Sequence, residues 1–536
     1  MNSKDAGRQT RAWTAVGAMT PEAVFARFDQ RITNSFDAEE MAALSRNFKE
    51  ICDNDGHVSE PAFTTFVLSK TRLSPALTKA VHILFDSLCY LSQVPLQAKS
   101  PPPTHLTLDG LKRALMWILP SRERSVINAT VGHRVRRPAD HTRLIFQSLA
   151  TSYDNFHVPP DVRAVQSLVV HNVARISAEQ IHAFQDARMH FDEDGDEMYH
   201  DVLDVLVSTQ PYVPPGFAEP SRDAFRALAK KLHEGAPSLY ELVVPQLRLE
   251  AFLSLLIATN FVDGVLDADQ DLEFVTRCIA ASFRQRLNLR SVDDRSAECQ
   301  SVPNRGSTWA TFHFAISKLL PHLFDPLYDL LGKVFFDQLC PHDANSGYLP
   351  TAELGAVLTL PRMAQLETFL FNSICMADIR RFQSHPHATG PTASDLMRDI
   401  NAIPECALLI ISGHAAAGET YVFGAFVSQP SIEGLSIQSG DTRFEETALL
   451  FQLSPTHDVF RGQVGKPAWS ATEKGIVFGN EDHGAALILD ERLTDVRFTH
   501  NPSGNIEYFV YHPTAHRGQF EINFAIEKIE LWAEGS

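Results

Sequence analysis

Long apolar runs are missing from this chain of 536 residues. No run reaches the ~18 to 20 uninterrupted apolar residues that a membrane-spanning helix needs, and the polar stretch that begins at Met1 lacks the apolar core of a secretory signal. Asn2 excludes N-myristoylation of the chain as written, because that modification needs Gly at this position. We therefore expect a soluble cytoplasmic protein.

Paired cysteines and basic clusters are also lacking. The seven cysteines are scattered singly without a C-x-x-C motif, so they predict neither a disulfide framework nor a redox site. Asp and Glu number 65 against 47 Lys and Arg, which gives a formal net charge of −18. Because binding to nucleic-acid phosphates calls for clustered Lys and Arg, we expect no nucleic-acid partner.

The common catalytic and nucleotide-binding motifs are absent. The sequence has no G-x-G-x-x-G, no G-x-S-x-G and no H-E-x-x-H. Gly462-Gln-Val-Gly-Lys466 is too short for a phosphate loop. His512 and His516 have ligand-like spacing, but the intervening Pro513 and the lack of Cys or acidic partners favour an exposed loop. We expect a non-enzymatic protein with no catalytic, cofactor-binding or metal-binding residues.

The hydrophobic period divides the chain into regions, as its length also requires. Residues 1–18 are polar and are predicted to be a disordered tail. Helical spacing dominates residues 19–215 and 216–340, with a Pro-rich linker between them. In residues 341–536 a helix is predicted at 363–382, after which the period becomes 2, which is typical of strands. The fold class is therefore α+β with several domains.

Helix-loop-helix patterns in the first of these regions are similar to EF-hands. When Gly56 is aligned with the sharp-turn position, Asp53 and Asp55 fall at ligand positions, whereas the first and twelfth positions lack carboxylates. Residues 106–111 repeat the strand-then-helix pattern that begins at Val58 and are its predicted pairing partner.

Three further acidic turns satisfy half of the calcium-binding pattern, at residues 192–197, 267–271 and 342–353. We interpret all four loops as structural relics of EF-hand geometry rather than working sensors. If one of them binds calcium, the carboxylate-rich residues 192–201 are preferred. A calcium-responsive signalling adaptor, in which the acidic loops control helix exposure, stays open as the alternative function.

An ordered series of motifs runs from about residue 350 to the end of the sequence. The matching segments are residues 360–370, 408–412, 422–430, 446–455, 475–479, 483–484, 487–491 and 520–532. This series resembles a TLDc domain. Joined to an EF-hand-like helical part, it is similar to the fungal restriction-of-telomere-capping branch and to the animal TLDc proteins associated with the mTOR kinase. The resemblance implies a β-sandwich of antiparallel sheets with flanking helices.

The same resemblance implies a function exerted through contact. TLDc proteins are associated with oxidative-stress resistance and with binding and regulating the vacuolar or lysosomal proton-pumping ATPase, whose subunits are the expected partners of a monomer. A process linked to telomere capping is the other implied role. Because Asn2 excludes a myristoyl anchor, recruitment to the vacuolar or lysosomal membrane would be indirect, through a protein partner.

Individual residues of this C-terminal region carry three further predictions. Gly424, in a strand that is apolar on both faces, indicates close approach of a neighbouring element. Leu531 and Trp532 are expected to anchor the last strand in the core. His483 and Asp490 are expected to face each other across a turn, in a hydrogen bond at the sandwich rim rather than in acid–base chemistry.

Overall fold

The structure of the chain is a computed structural model in which helices and strands form two compact units. It describes residues 3–15, 17–71, 73–96, 103–127, 136, 138–152, 199–210, 222–233, 239, 242–260, 270–284, 306–337, 354–370, 373–376, 378–382, 392–404, 406–416, 418–428, 448–463, 465–472, 475–503, 506–514 and 517–534. The first unit comprises Met1–Leu255, Asn304–His313 and Phe324–Pro341. The second comprises Leu256–Pro303, Phe314–Leu323 and His342–Ser536. The predicted mixture of helix and strand is confirmed, while the predicted linker at residues 211–216 lies outside the described residues.

The α-helices share their order along the chain with the predicted helical blocks. They are α1 Ser3–Ala15, α2 Pro21–Ser35, α3 Ala38–Ile51, α4 Glu60–Thr71, α5 Thr78–Leu91, α6 Leu108–Ile118, α7 Pro138–Leu149, α8 Tyr199–Ser208, α9 Asp223–His233, α10 Gln246–Thr259, α11 Gln270–Ser282, α12 Trp309–Phe314, α13 Pro326–Phe335, α14 Leu360–Leu370 and α15 Ala393–Ala402. Among the helices in these ranges, none has the length and hydropathy that crossing a bilayer requires.

Helix α1 corrects the prediction of a disordered tail over residues 1–18. The ring of Trp13 stacks on Phe225 of α9 at a centroid distance of 6.2 Å. The next helix then begins with Thr20, whose hydroxyl accepts a hydrogen bond from the backbone N–H of Ala23. The prediction failed because a single aromatic residue in a polar segment gives no periodic signal, although its tertiary contact stabilises the helix.

The two segments predicted to pair in the first unit do so. Strand β1 (Val58–Ser59) lies antiparallel to β2 (His105–Leu106), with Val58 opposite Leu106. Each strand is followed by a helix, α4 and α6 respectively. A second short sheet of this unit joins β3 (Thr151–Ser152), β4 (Leu242–Pro245) and β5 (Gly306–Thr308).

A ten-stranded antiparallel sheet dominates the second unit. Its strands are β6 Ile379–Arg381, β7 Cys406–His414, β8 Thr420–Ser428, β9 Ala448–Ser454, β10 Asp458–Arg461, β11 Trp469–Thr472, β12 Gly475–Asn480, β13 His483–Asp490, β14 Asp495–Asn501 and β15 Phe520–Glu534. The strand order is β10-β9-β8-β7-β15-β14-β13-β12-β11, and β6 pairs with the end of β15. This large antiparallel sheet is the arrangement expected of the C-terminal region.

Strand β15 joins the two halves of this sheet. Its residues 520–525 pair with β14 and its residues 525–533 pair with β7, with a register shift between Ile526 and Lys528. The halves then fold face to face, because the rings of Phe423 on β8 and Phe498 on β14 are 4.7 Å apart. In a flat sheet these strands would be about 14 Å apart, at ~4.8 Å per strand.

The core of this folded sheet confirms two of the residue-level predictions. A Cβ atom at Gly424 would lie 2.3 Å from the carbonyl oxygen of Leu409 and 2.3 Å from the ring of Phe451. This is the close approach that the glycine indicated. Trp532 is fully buried and Leu531 nearly so, which places the end of β15 in the core.

The predicted helix at residues 363–382 is wrong in its second half. Helix α14 ends at Leu370, and residues 379–381 form β6, which pairs with residues 532–534 of β15. Sheet pairing here overrides the local helical pattern. Helix α15, which the sequence reasoning missed, begins with a capping box between Thr392 and Asp395.

Candidate functional site

A buried polar cluster lies in the second unit, where β10 begins and β14 ends. We define the polar cluster as Asp458, His500, Thr514 and Arg517. Asp458 and His500 are fully buried, and Thr514 is 8% exposed. These residues are far apart in the sequence, and neither the spacing nor the motif search predicted them. Buried ionisable groups beside a hydroxyl require a test for catalytic geometry.

The carboxylate of Asp458 receives several donors. Thr514 Oγ1 donates to Asp458 Oδ2 at 3.3 Å, and Arg517 Nη1 donates to the same oxygen at 3.1 Å. The backbone N–H of Val459 donates to Asp458 Oδ1 at 3.0 Å. Burial raises the pKa of Asp458 to about 6, against the opposing attraction of Arg517.

Both ring nitrogens of His500 are engaged by the backbone. The N–H of Thr514 donates to His500 Nε2 at 3.0 Å, so this nitrogen is an acceptor, and Nδ1 therefore carries the proton that it donates to the carbonyl of Gly518 at 2.8 Å. Burial, helped by the charge of Arg517, lowers the pKa of His500 to about 4. The imidazole is thus neutral at physiological pH.

This geometry does not suit nucleophilic catalysis. In a Ser-His-Asp arrangement the histidine Nε2 takes the hydroxyl proton. Here Nε2 of His500 already accepts an amide N–H, and the Thr514 hydroxyl is within bonding distance of the Asp458 carboxylate. The polar cluster therefore fastens residues 514–518 to the sheet, and its polar atoms are spent on structure.

A second buried histidine joins a π-helical turn to the sheet. The turn spans Ala315–Leu319, and His457 Nε2 donates to the carbonyl of Leu319 at 3.1 Å. His457 Nδ1 accepts from Gln365 Nε2 at 3.1 Å. Burial lowers the pKa of His457 to about 4. Although π-turns often mark functional sites, these contacts use the turn as a docking element.

The first candidate calcium loop closes on its own side chain. Asp53 Oδ1 accepts hydrogen bonds from the backbone N–H of Asp55 at 3.0 Å and of His57 at 2.8 Å. The hydrogen bond from His57, above all, holds the pKa of Asp53 below its usual value. Gly56 takes the left-handed backbone at φ +75° that the turn needs. The loop geometry is thus satisfied by the protein itself.

The preferred calcium region, residues 192–201, is described only from Tyr199 onward. There Asp201 is bound by two buried guanidinium groups, with Arg136 Nη1 at 2.7 Å and Arg143 Nη1 at 2.8 Å. Burial opposes ionisation of Asp201, but these cations outweigh it and lower its pKa. Arg136 also binds Asp204 at 2.9 Å. Asp201 therefore belongs to an internal ion network and not to a calcium loop.

The other two acidic turns lie wholly or mostly outside the described residues. Nothing of residues 342–353 is described, and of residues 267–271 only the last two are. Asp271 lies 3.6 Å from Arg362 Nη2. Over the part of the chain that the structure covers, no group of three or more His, Cys, Asp or Glu side chains is arranged to hold a metal ion.

The prediction that His483 and Asp490 face each other is wrong. They stand at opposite ends of β13, about 24 Å apart at ~3.4 Å per residue. Asp490 instead closes the following turn, where its Oδ1 accepts the backbone N–H of Thr494 at 2.6 Å and of Asp495 at 2.9 Å. It therefore has the predicted structural role, with different partners.

His483 belongs to an exposed feature that the sequence reasoning missed. We call it the tip, and it consists of residues 480–483 and the 3₁₀ turn Ile506–Tyr508. Ile506 is 57% exposed and Tyr508 is 56% exposed. The rings of His483 and Tyr508 stack at 5.2 Å. The only signal in the sequence was two large apolar residues, two positions apart, in a stretch rich in Gly, Asn and Ser.

A cavity of about 820 Å³ lies over β12 to β15. Val477, Ile488 and Asn523 are among its lining residues. Two of its charged groups, Glu481 and Arg497, form an ion pair with each other. A lining of this kind supplies a surface for contact, without a nucleophile next to a base.

Residues 356–535 match the family model described as the TLDc domain. The chain carries a TLDc domain. It begins beside Val357, includes the sheet from β6 to β15, and contains both the polar cluster and the tip. The resemblance seen in the ordered motifs is therefore confirmed.

Two fungal proteins align with most of the chain. It is 22% identical over 495 residues to "Restriction of telomere capping protein 5" of Sordaria macrospora, across 83% of this chain and 76% of that protein. It is 23% identical over 599 residues to the protein of the same name from Pyricularia oryzae, across 92% of this chain and 86% of the relative. The similarity thus extends beyond the TLDc domain into the helical part of the chain.

Proposed function

We propose that this protein is a non-enzymatic binding protein whose TLDc domain engages the peripheral sector of the vacuolar proton-pumping ATPase and modulates its assembly. The observation that carries the non-enzymatic part is the saturated polar cluster. His500 has both ring nitrogens bonded to backbone groups, and Asp458 is bonded by Thr514, Arg517 and a backbone N–H. The pump as partner is supported by the TLDc match over residues 356–535.

The surface of the domain supports action by contact. Its exposed apolar side chains lie on the tip, whereas its acid, base and hydroxyl groups are used internally in the polar cluster. Interaction sites place large apolar residues in solvent, and catalytic sites place perturbed ionisable groups in a cleft. The TLDc domain has the first arrangement. We propose indirect recruitment to the vacuolar membrane through the pump.

The relatives' printed name adds a second context, a process linked to telomere capping. We propose that any role of this chain in that process is also exerted through protein partners. A formal net charge of −18 opposes direct binding to DNA phosphates.

A calcium-responsive adaptor is the second candidate function. The pairing of β1 with β2, each followed by a helix, favours it because paired EF-hands join their loops in this way. The bonding of Asp53 to its own loop and of Asp201 to Arg136 and Arg143 opposes it. The pump-binding function therefore has the stronger support.

Affinity purification tests the proposed function. The tagged full chain is added to detergent-solubilised vacuolar membranes, and the retained pump subunits are quantified against a mock purification. We expect enrichment of peripheral-sector subunits and a changed ratio of assembled to free peripheral sector. Equal recovery of pump subunits in the tagged and mock samples would refute the proposal.

A further inference from the structure

The tip concentrates exposed apolar surface on the TLDc domain. Among the described residues, the large apolar side chains that are exposed are Leu247, Ile506 and Tyr508. Two of these three lie on the tip, two residues apart. Single exposed apolar residues are ordinary, but a pair on one turn marks an interaction site. Tyr is also among the residues that contribute most to binding energy at interfaces.

The backbone of the tip is fixed before any partner arrives. Asn480 Nδ2 donates to the carbonyl of Tyr508 at 3.4 Å, and the ring of His483 stacks on Tyr508. The next residue, Phe509, is 6% exposed and lies against Gly484, where a Cβ would be 3.3 Å from its ring. A preorganised loop loses little conformational entropy when it binds, so its exposed side chains contribute more fully to affinity.

The charged residues around the apolar pair are mostly acidic. Glu481, Asp482 and Glu507 are all exposed. Arg497 forms an ion pair with Glu481 and neutralises one of these three carboxylates. Two negative charges therefore flank Ile506 and Tyr508. Complementary surfaces place opposite charges at the rim of an apolar contact.

We infer that the tip is a protein-docking site, in which Ile506 and Tyr508 enter an apolar pocket whose rim carries Lys or Arg. This inference rests on the proposed function, since the pump's peripheral subunits are the partner on which that pocket is sought. It adds the contact surface and the chemistry of its complement.

Matched variants of the full chain test the inference in the same purification. Ile506→Ser combined with Tyr508→Ser removes the apolar pair, and Leu247→Ser is the control, because Leu247 is even more exposed, at 68%, but lies outside the TLDc domain. We expect pump binding at least about tenfold weaker for the double variant and unchanged for the control. Urea unfolding of each variant verifies that the fold is retained.

Charge variants test the rim separately. Glu507→Lys should weaken binding about three- to tenfold, and the effect should shrink when the ionic strength rises from about 0.05 to about 0.5 M. Glu527→Lys is the control, because Glu527 is half exposed and lies near the opposite end of the sheet, beside His414.

The outcomes separate the two proposals. Loss of pump binding in the tip variants alone supports both of them. Undiminished binding by folded tip variants overturns the docking inference and leaves the proposed function standing. Failure of the unmodified chain to retain pump subunits overturns both.

Discussion

Glu530 on β15 fastens the segment that leads into α14, because its Oε1 accepts the backbone N–H of Val357 at 2.9 Å. Its Oε2 accepts the N–H of Leu358 at 3.0 Å and the indole N–H of Trp532 at 3.3 Å. Glu530 is 1% exposed. A buried carboxylate with several donors joins the start of the TLDc domain to its last strand.

Removal of this carboxylate should destabilise the TLDc domain. In Glu530→Ala two backbone N–H groups lose their acceptor in a buried place, and each orphaned group costs about 1–3 kcal/mol. We expect the free energy of unfolding to fall by about 3 kcal/mol, measured by urea unfolding with hydrogen exchange of β15 as the local probe. Glu527→Ala, an exposed carboxylate on the same strand, should change it by less than about 0.5 kcal/mol. Similar values for the two variants would show that Glu530 has no anchoring role.

Gly424 should not tolerate even one added methyl group. The Cβ of Gly424→Ala would lie 2.3 Å from the Leu409 carbonyl oxygen, so β7 and β8 would have to separate. Overpacking of this kind costs about 1–3 kcal/mol, and we expect a corresponding drop in thermal midpoint. Gly418→Ala is the comparison, because nothing lies within 4 Å of its Cβ and only its left-handed backbone resists. A Gly424→Ala protein as stable as the parent would contradict the close packing of β8.

Stability of the TLDc domain should fall in mild acid. The folded-state pKa values of His457 and His500 are lowered to about 4 from 6.5. Between these values the unfolded chain binds protons that the folded domain refuses, so the stabilisation is present above about pH 6.5 and is lost as pH falls toward 4. Asp458, whose pKa is raised to about 6, acts in the opposite direction over part of this range. Two histidines should outweigh one carboxylate.

Urea midpoints at about pH 7.5, 6 and 5 measure this dependence. We expect the midpoint to fall with each step, and His457→Asn to show a shallower fall, because one of the two refused protons is removed. An equally steep fall in this variant would assign the pH dependence to other groups.

Calcium should neither bind the Asp53 loop nor stabilise it. Both backbone N–H donors of the turn already use Asp53 Oδ1. Calorimetric titration of the full chain with calcium should therefore give no heat beyond dilution, and Asp53→Ala should loosen the loop, seen as faster hydrogen exchange at His57. A saturable calcium signal that Asp53→Ala abolishes would restore the sensor function.

The sequence reasoning succeeded where the signal was local or periodic. Alternating apolar residues indicated the strands, Gly424 indicated a close approach, and the pattern beginning at Val58 found its partner at Leu106. It failed where tertiary contact decides. The pairing of β6 with β15 ended the predicted helix at Leu370, and Trp13 ordered a polar N-terminal segment through Phe225.

The polar cluster was out of reach for the same reason. Asp458 and Arg517 are brought together only by the folding of the sheet, and no spacing rule connects them. The tip was also missed, because exposure is a property of the finished surface. Ile506 and Tyr508 read as ordinary apolar residues until the sheet leaves them in solvent.

Because β15 follows both β7 and β14 in the chain and is the strand that joins them, the ribosome makes the binding element after the parts that it binds. Until residues 520–533 have emerged, the two half-sheets have unpaired edges, which are open to wrong partners and to chaperones. The TLDc domain therefore closes after the nascent chain has delivered its last strand, so translation stalling within β15 should leave an aggregation-prone species.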